Sequence, residues 1–181
     1  IRDRYYFSRP QLKESHGYNN HGIFVHNNTV YQTYTLTLNS RGIKNIVAKY
    51  SPEKDKFEEI ATFDINFTSD CFVSVKGRLY ALGVSNVFDQ GFNIGYTLTI
   101  YAVDANTFKL TELYRVGTTN QTYPYAPVGA INFNGDILLA LDVNNFMMYN
   151  IVKNTLSPIY LSINGNHMYF GGMFTYKDKY Y

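Results

Sequence analysis

Residues 129–138 read GAINFNGDIL, two short apolar runs on either side of Asn134-Gly135. Asn-Gly in such a setting is a strong two-residue hairpin signal, because both central positions of the tight turn need positive φ. Three further segments align with it without a gap: GIFVHNNTVY (22–31), CFVSVKGRLY (71–80) and GMFTYKDKYY (172–181). Their turn positions hold Asn27-Asn28, Lys76-Gly77 and Lys177-Asp178. The chain repeats one hairpin.

A second set of anchors interleaves with the first. Tyr50 and Phe57, Tyr101 and Phe108, and Tyr149 and Leu156 share one spacing around the polar turns of YSPEKDKF, YAVDANTF and YNIVKNTL. Together the two sets define a unit of strand a, tight turn, strand b, variable loop, strand c ending near the Tyr, short turn, and strand d from the Phe or Leu. Unit one is expected at 22–26, 29–38, 43–50 and 57–63, unit two at 71–75, 78–84, 96–103 and 108–115, and unit three at 129–133, 136–142, 146–152 and 156–162. No stretch combines a helical period with caps, so the chain reads as all-β. Tandem four-stranded antiparallel sheets with a period of roughly fifty residues predict a β-propeller, in which radial stacking buries both faces of every blade.

The ends carry partial units. Tyr5 and Leu12 repeat the Tyr-to-apolar spacing, and 172–176 reads as another strand a. We therefore expect one propeller domain over 1–181, with a partial blade at 1–20, blades at about 21–70, 71–127 and 128–165, and a partial blade at 166–181. An excerpt of a longer ring is favoured over a four-bladed ring, whose incomplete strand b would leave an open edge.

LYALG (79–83), followed by a variable loop and IYAVDANTF (100–108), resembles a kelch repeat, and NIVAKYSPEKDKFEEI resembles the second half of one. The resemblance spans nearly the whole chain. The kelch diglycine is reduced to Gly83 in unit two and absent from units one and three, and Phe57, Phe108 and Leu156 stand where the family carries Trp. The resemblance implies a propeller fold. It also implies, as an alternative role, an intracellular adaptor that grips a protein or peptide.

Composition narrows the function classes. Hydrophobic residues make up 45% of the chain and charged residues 17%, which is a folding composition. The net charge of +2, without a cluster of Lys and Arg, argues against a nucleic-acid partner. No apolar run reaches the ~20 residues of a membrane span, so membrane insertion is not expected. Cys71 is the single cysteine and sits in the apolar run CFVSV, as a buried small hydrophobe would. Asn-X-Thr triplets at Asn27, Asn66 and Asn120 do not fix a compartment. Eighteen Tyr and thirteen Phe without Trp favour strands.

Blade topology sorts the connections onto two ends. The a–b and c–d turns share one end and are short, and EKDKFEE (53–59) is a solvated mixed-charge turn there. The other end carries ESHGYNNH (14–21), DINFTSD (64–70), VSNVFDQGFNIG (84–95), VGTTNQTYPYAP (116–127) and NGNHMYFG (164–171), all expected as loops. Long loops on a rigid scaffold are the usual carriers of function. Phe88, Asp89, Gln90, Phe92 and Asn93, facing Asn120, Gln121, Tyr123 and Tyr125, combine flat rings with amide and carboxylate groups, as sugar binding requires. His167 belongs to the same end. The rings equally suit packing over the next blade or a protein interface.

Catalysis and metal binding find little support. His16, His21 and His26 lack ligand spacing and read as solvated loop residues. Asp64, Asp70, Asp89 and Asp142 read as turn formers, although two of them could approach as a glycosidase pair. No catalytic residue, metal or cofactor is expected. The leading expectation is a non-enzymatic attachment module, of the phage-tail or adhesin kind, that binds a cell-surface glycan or a protein receptor at an extracellular or virion surface. The kelch-type adaptor and a propeller glycosidase are the alternatives, and oligomeric state stays open.

Overall fold

The computed structural model describes residues 17–38, 42–63, 67–90, 92–119, 129–141, 145–159, 175–176 and 179–180. The expected partial blade around Tyr5 and Leu12, the Lys177-Asp178 turn, and Asp64, Asn66 and Asp142 lie outside these residues. Two compact units form, Ile1–Asp64 and Ile65–Tyr181. Among the described residues every regular element is a strand, and no helix is long and apolar enough to cross a membrane.

The first unit is a four-stranded antiparallel meander of β1 (Gly17–His26), β2 (Thr29–Leu38), β3 (Gly42–Ser51) and β4 (Lys56–Phe63). His26 pairs with Thr29 across a two-residue turn whose Asn27 and Asn28 both have positive φ, 47° and 58°. Asn tolerates that backbone because its short polar side chain bonds locally. Tyr34, Leu36, Ile46 and Ala48 form a core with Phe57 packed against it. Ile46, Val47 and Ala48 are all buried, so the middle of β3 is covered on both faces. Even the polar pair in this layer is closed, with Thr35 Oγ1 donating to Asn45 Oδ1 at 2.6 Å.

The second unit holds two such meanders. One is β5 (Phe67–Val75), β6 (Arg78–Asp89), β7 (Phe92–Val103) and β8 (Leu110–Thr119), and the other is β9 (Gly129–Phe133), β10 (Asp136–Ala140), β11 (Phe146–Asn150) and β12 (Thr155–Ile159). A short pair, β13 (Thr175–Tyr176) with β14 (Lys179–Tyr180), follows. Lys76-Gly77 and Asn134-Gly135 make the same positive-φ turn as Asn27-Asn28. The middle strands are again buried as continuous runs, Leu79 to Leu82 and Ile137 to Ala140, the pattern of sheets covered on both faces.

Within this unit corresponding parts of the two meanders meet. β5 lies beside β9, and Lys76 from one a–b turn lies against Gly135 of the other. The rings of Tyr114 on β8 and Tyr149 on β11 stand 5.8 Å apart, and Asn154 Nδ2 donates to the Leu113 carbonyl at 3.1 Å. Leu113 is the extra residue of a bulge between β7 and β8, which takes its carbonyl out of the ladder and leaves it open to a new donor.

Three sequence expectations are corrected. Strand d of unit two was expected from Phe108, but β8 begins at Leu110 and Tyr101 pairs with Glu112. The cause is local: Asp104 Oδ1 accepts the N–H groups of Asn106 and Thr107, both at 2.9 Å, and winds the chain into an extra turn. Phe108 closes that turn in the left-handed region (φ 56°), its N–H donating to the Asp104 carbonyl at 2.7 Å. The strands also run further than expected toward the long-connection end. Residues 17–20, 67–70, 84–89, 92–95 and 116–119 are strand rather than loop. Finally, β10 stops at Ala140 and β11 at Asn150, short of the expected 142 and 152.

Candidate functional site

The b–c connection of the second meander is a hairpin of two long strands. β6 and β7 have 12 residues each, against 5 each for β10 and β11. Gln90, exposed and at positive φ (47°), occupies the turn between Asp89 and Phe92. The expected loop 84–95 is therefore an ordered ladder for nearly its whole length. Its register sets Phe88 opposite Asn93 and Asp89 opposite Phe92, so each cross-strand pair joins a ring-bearing residue to a polar one. Between Val87 and Phe88 the register shifts, making Ile94 the extra residue of a bulge that turns the tip relative to its root.

Burial divides the hairpin. At the root Leu79 to Leu82 are all at most 3% exposed, whereas Ser85, Asn86 and Val87 are consecutively exposed, so the outer part of β6 is open on both faces. Val87 and Ile94 are exposed aliphatic residues just behind the tip, and sequence patterning gave no sign of them. β8 enters the same end, Thr119 pairing with Gly95. Five candidate residues, Phe88, Asp89, Gln90, Phe92 and Asn93, are thus gathered on one hairpin tip. Asn120, Gln121, Tyr123, Tyr125 and His167 lie outside the described residues.

In each unit, taken by itself, the short turns at the other end of the meanders are closed by hydrogen bonds. Tyr50 Oη donates to Asp55 Oδ1 at 2.6 Å and Tyr149 Oη donates to Asn154 Oδ1 at 2.8 Å. Asp136 accepts from Asn150 Nδ2 at 2.8 Å and from the Ile151 N–H at 3.0 Å, tying strand b to the c–d turn. In the charged turn residues 53–56 are exposed, and Lys54 is bonded to Glu58 at 2.7 Å, which holds the lysine above and the glutamate below their ordinary ranges. Arg115 and Glu112 pair in the same way, raising the guanidinium and lowering the carboxyl. Backbone N–H groups of Thr107 and Asn106 hold the Asp104 carboxyl below its usual range. These carboxylates are occupied in turn formation and surface pairing.

His26 differs from the solvated residue expected. It is 3% exposed, and burial lowers its pKa. His21 lies within β1, and His16 is outside the described residues. Asp70 lies inside β5 and Asp89 ends β6, so neither belongs to an irregular loop. Cys71 is fully buried, as its apolar neighbours predict. Among the described residues no three His, Cys, Asp or Glu side chains gather as a metal site would require.

Compared with known proteins, the chain matches no family model and no curated protein.

Proposed function

We propose that the meanders are propeller blades and that the chain is a recognition module capturing a cell-surface glycan at the end where β6 and β7 project. Antiparallel meanders with doubly buried middle strands, stacked with like strands and like turns together in the second unit, support the propeller reading. The single observation that carries the functional reading is the β6–β7 tip. On successive rungs beside Gln90, Phe88 pairs with Asn93 and Asp89 with Phe92, so each rung of the tip joins a ring-bearing residue to one with hydrogen-bonding groups. A pyranose has a C–H face that packs on a ring and hydroxyls that donate and accept, so this set fits it. A preorganised hairpin also loses less entropy on binding than a loop would.

Attachment to a cell surface, in the manner of a tail or adhesin protein, extends this by analogy at the level of fold. One observation favours a second reading, a kelch-type protein adaptor: exposed Val87 and Ile94 behind the tip suit an apolar protein contact better than a sugar.

The deciding experiment is a glycan array with the folded protein, repeated with Phe92→Ala and Tyr123→Ala. Glycan binding that both substitutions weaken at least tenfold supports the site. Binding that neither changes removes it, and no glycan binding beside capture of a protein partner that Val87→Ser abolishes replaces it with the adaptor.

A further inference from the structure

Asn134 is the one turn asparagine among the three described a–b turns that is followed by glycine. An Asn-Gly bond is chemically exposed, because no side chain on the glycine hinders its nitrogen from reaching the asparagine amide carbon. In that reaction the Gly135 nitrogen bonds to Asn134 Cγ, the Cγ–Nδ2 bond breaks, and the nitrogen's proton leaves with ammonia. Water then opens the five-membered imide to aspartate or isoaspartate. The Asn134 side of the turn is exposed, so water is at hand.

A tight two-residue turn uses the carbonyl and N–H of its flanking residues and ordinarily leaves the N–H of its second central residue unbonded. Here that N–H is taken. Gly135 N–H donates to Asn132 Oδ1 at 3.1 Å. The equivalent positions in the other hairpins hold Val25 and Ser74, beside turns that do not contain Asn-Gly. The amide acceptor therefore stands in the repeat whose turn carries the vulnerable bond.

We propose that Asn134 is a site of spontaneous deamidation and that the Asn132 side chain guards it. The nitrogen must give up its proton and turn toward Cγ to react, and the bond to Asn132 opposes both. Loss of the guard would place a new carboxylate, or an extra backbone methylene, in the turn that meets Lys76.

The test follows amide loss at Asn134 by peptide mass mapping of the full chain during incubation in mildly alkaline buffer, with a free peptide of residues 129–138 setting the unguarded rate. Wild type should deamidate at least tenfold more slowly than the peptide, and Asn132→Ala several-fold faster than wild type. Asn132→Asp, whose carboxylate accepts the same N–H, should stay at or below the wild-type rate and serves as the measure if Asn132→Ala fails to fold. Equal rates for wild type and peptide would overturn the protection. Equal rates for Asn132→Ala and wild type, or an accelerated Asn132→Asp, would overturn the assignment of Asn132 as guard.

Discussion

Asn154 is bonded on both ends of its amide: its Oδ1 accepts from Tyr149 Oη at 2.8 Å, and its Nδ2 donates to the bulged Leu113 carbonyl at 3.1 Å. Its backbone is left-handed (φ 52°), which Asn accepts more readily than most residues. One residue thus closes its own turn and joins two sheets. Asp55 occupies the corresponding place in the first unit, with φ 48° and the phenol of Tyr50 at 2.6 Å, but a carboxylate has no hydrogen to donate onward.

The two positions should therefore answer unequally to an exchange between amide and carboxylate. Asn154→Asp keeps the acceptor for Tyr149 and the tolerance of positive φ, but sets a carboxylate oxygen against the Leu113 carbonyl. It should destabilise by about 1–2 kcal/mol, read from the denaturant midpoint. Asp55→Asn keeps everything Asp55 provides and should shift stability by no more than about 0.5 kcal/mol. Equal effects at the two sites would mean that the bond to Leu113 contributes nothing.

Phe108 sets backbone strain against burial. At φ 56° a bulky residue costs about 1–2 kcal/mol that Asn or Gly would relieve. Its ring, however, is 5% exposed, and truncating a buried Phe costs about 3–5 kcal/mol. Burial is the larger effect, so Phe108→Asn should lower the stability of the second unit despite its more suitable backbone preference. Thermal or denaturant melts decide the matter, and a stabilised variant would show that strain governs this turn.

The legible parts of the fold were those where one residue type answers one backbone need. Asn27-Asn28, Lys76-Gly77 and Asn134-Gly135 marked their hairpins because positive φ selects Asn and Gly, and the apolar runs beside them gave the cores. The outer hairpin at 84–95 looks like a loop in sequence because hydrophobic periodicity exists only where one face is buried. Ser85, Asn86 and Val87 are exposed one after another, so their sequence carries no alternation. Gln90-Gly91 between Phe88 and Phe92 was the available turn signal. The displaced start of β8 was legible in principle too, since Asp104 followed by Asn106 and Thr107 is a side-chain-capped turn.

His26 gives the first unit a pH dependence with a defined sign. Burial disfavours the imidazolium, so the folded pKa lies below the ordinary 6.5 while the unfolded chain titrates near that value. Between the two pKa values the unfolded state binds more protons than the folded one, and stability rises with pH wherever that holds. The stabilisation from neutral His26 is thus fully present above pH 6.5 and falls away as the pH drops toward the lowered folded pKa, below which this group adds no further loss. His26→Gln removes the titration while keeping a polar side chain beside the Asn27-Asn28 turn. Denaturant midpoints measured from about pH 8 down to about pH 5 should fall more steeply for wild type than for His26→Gln. Parallel curves would show that His26 titrates alike in both states, and a steeper fall in the variant would reverse the sign assigned to its burial.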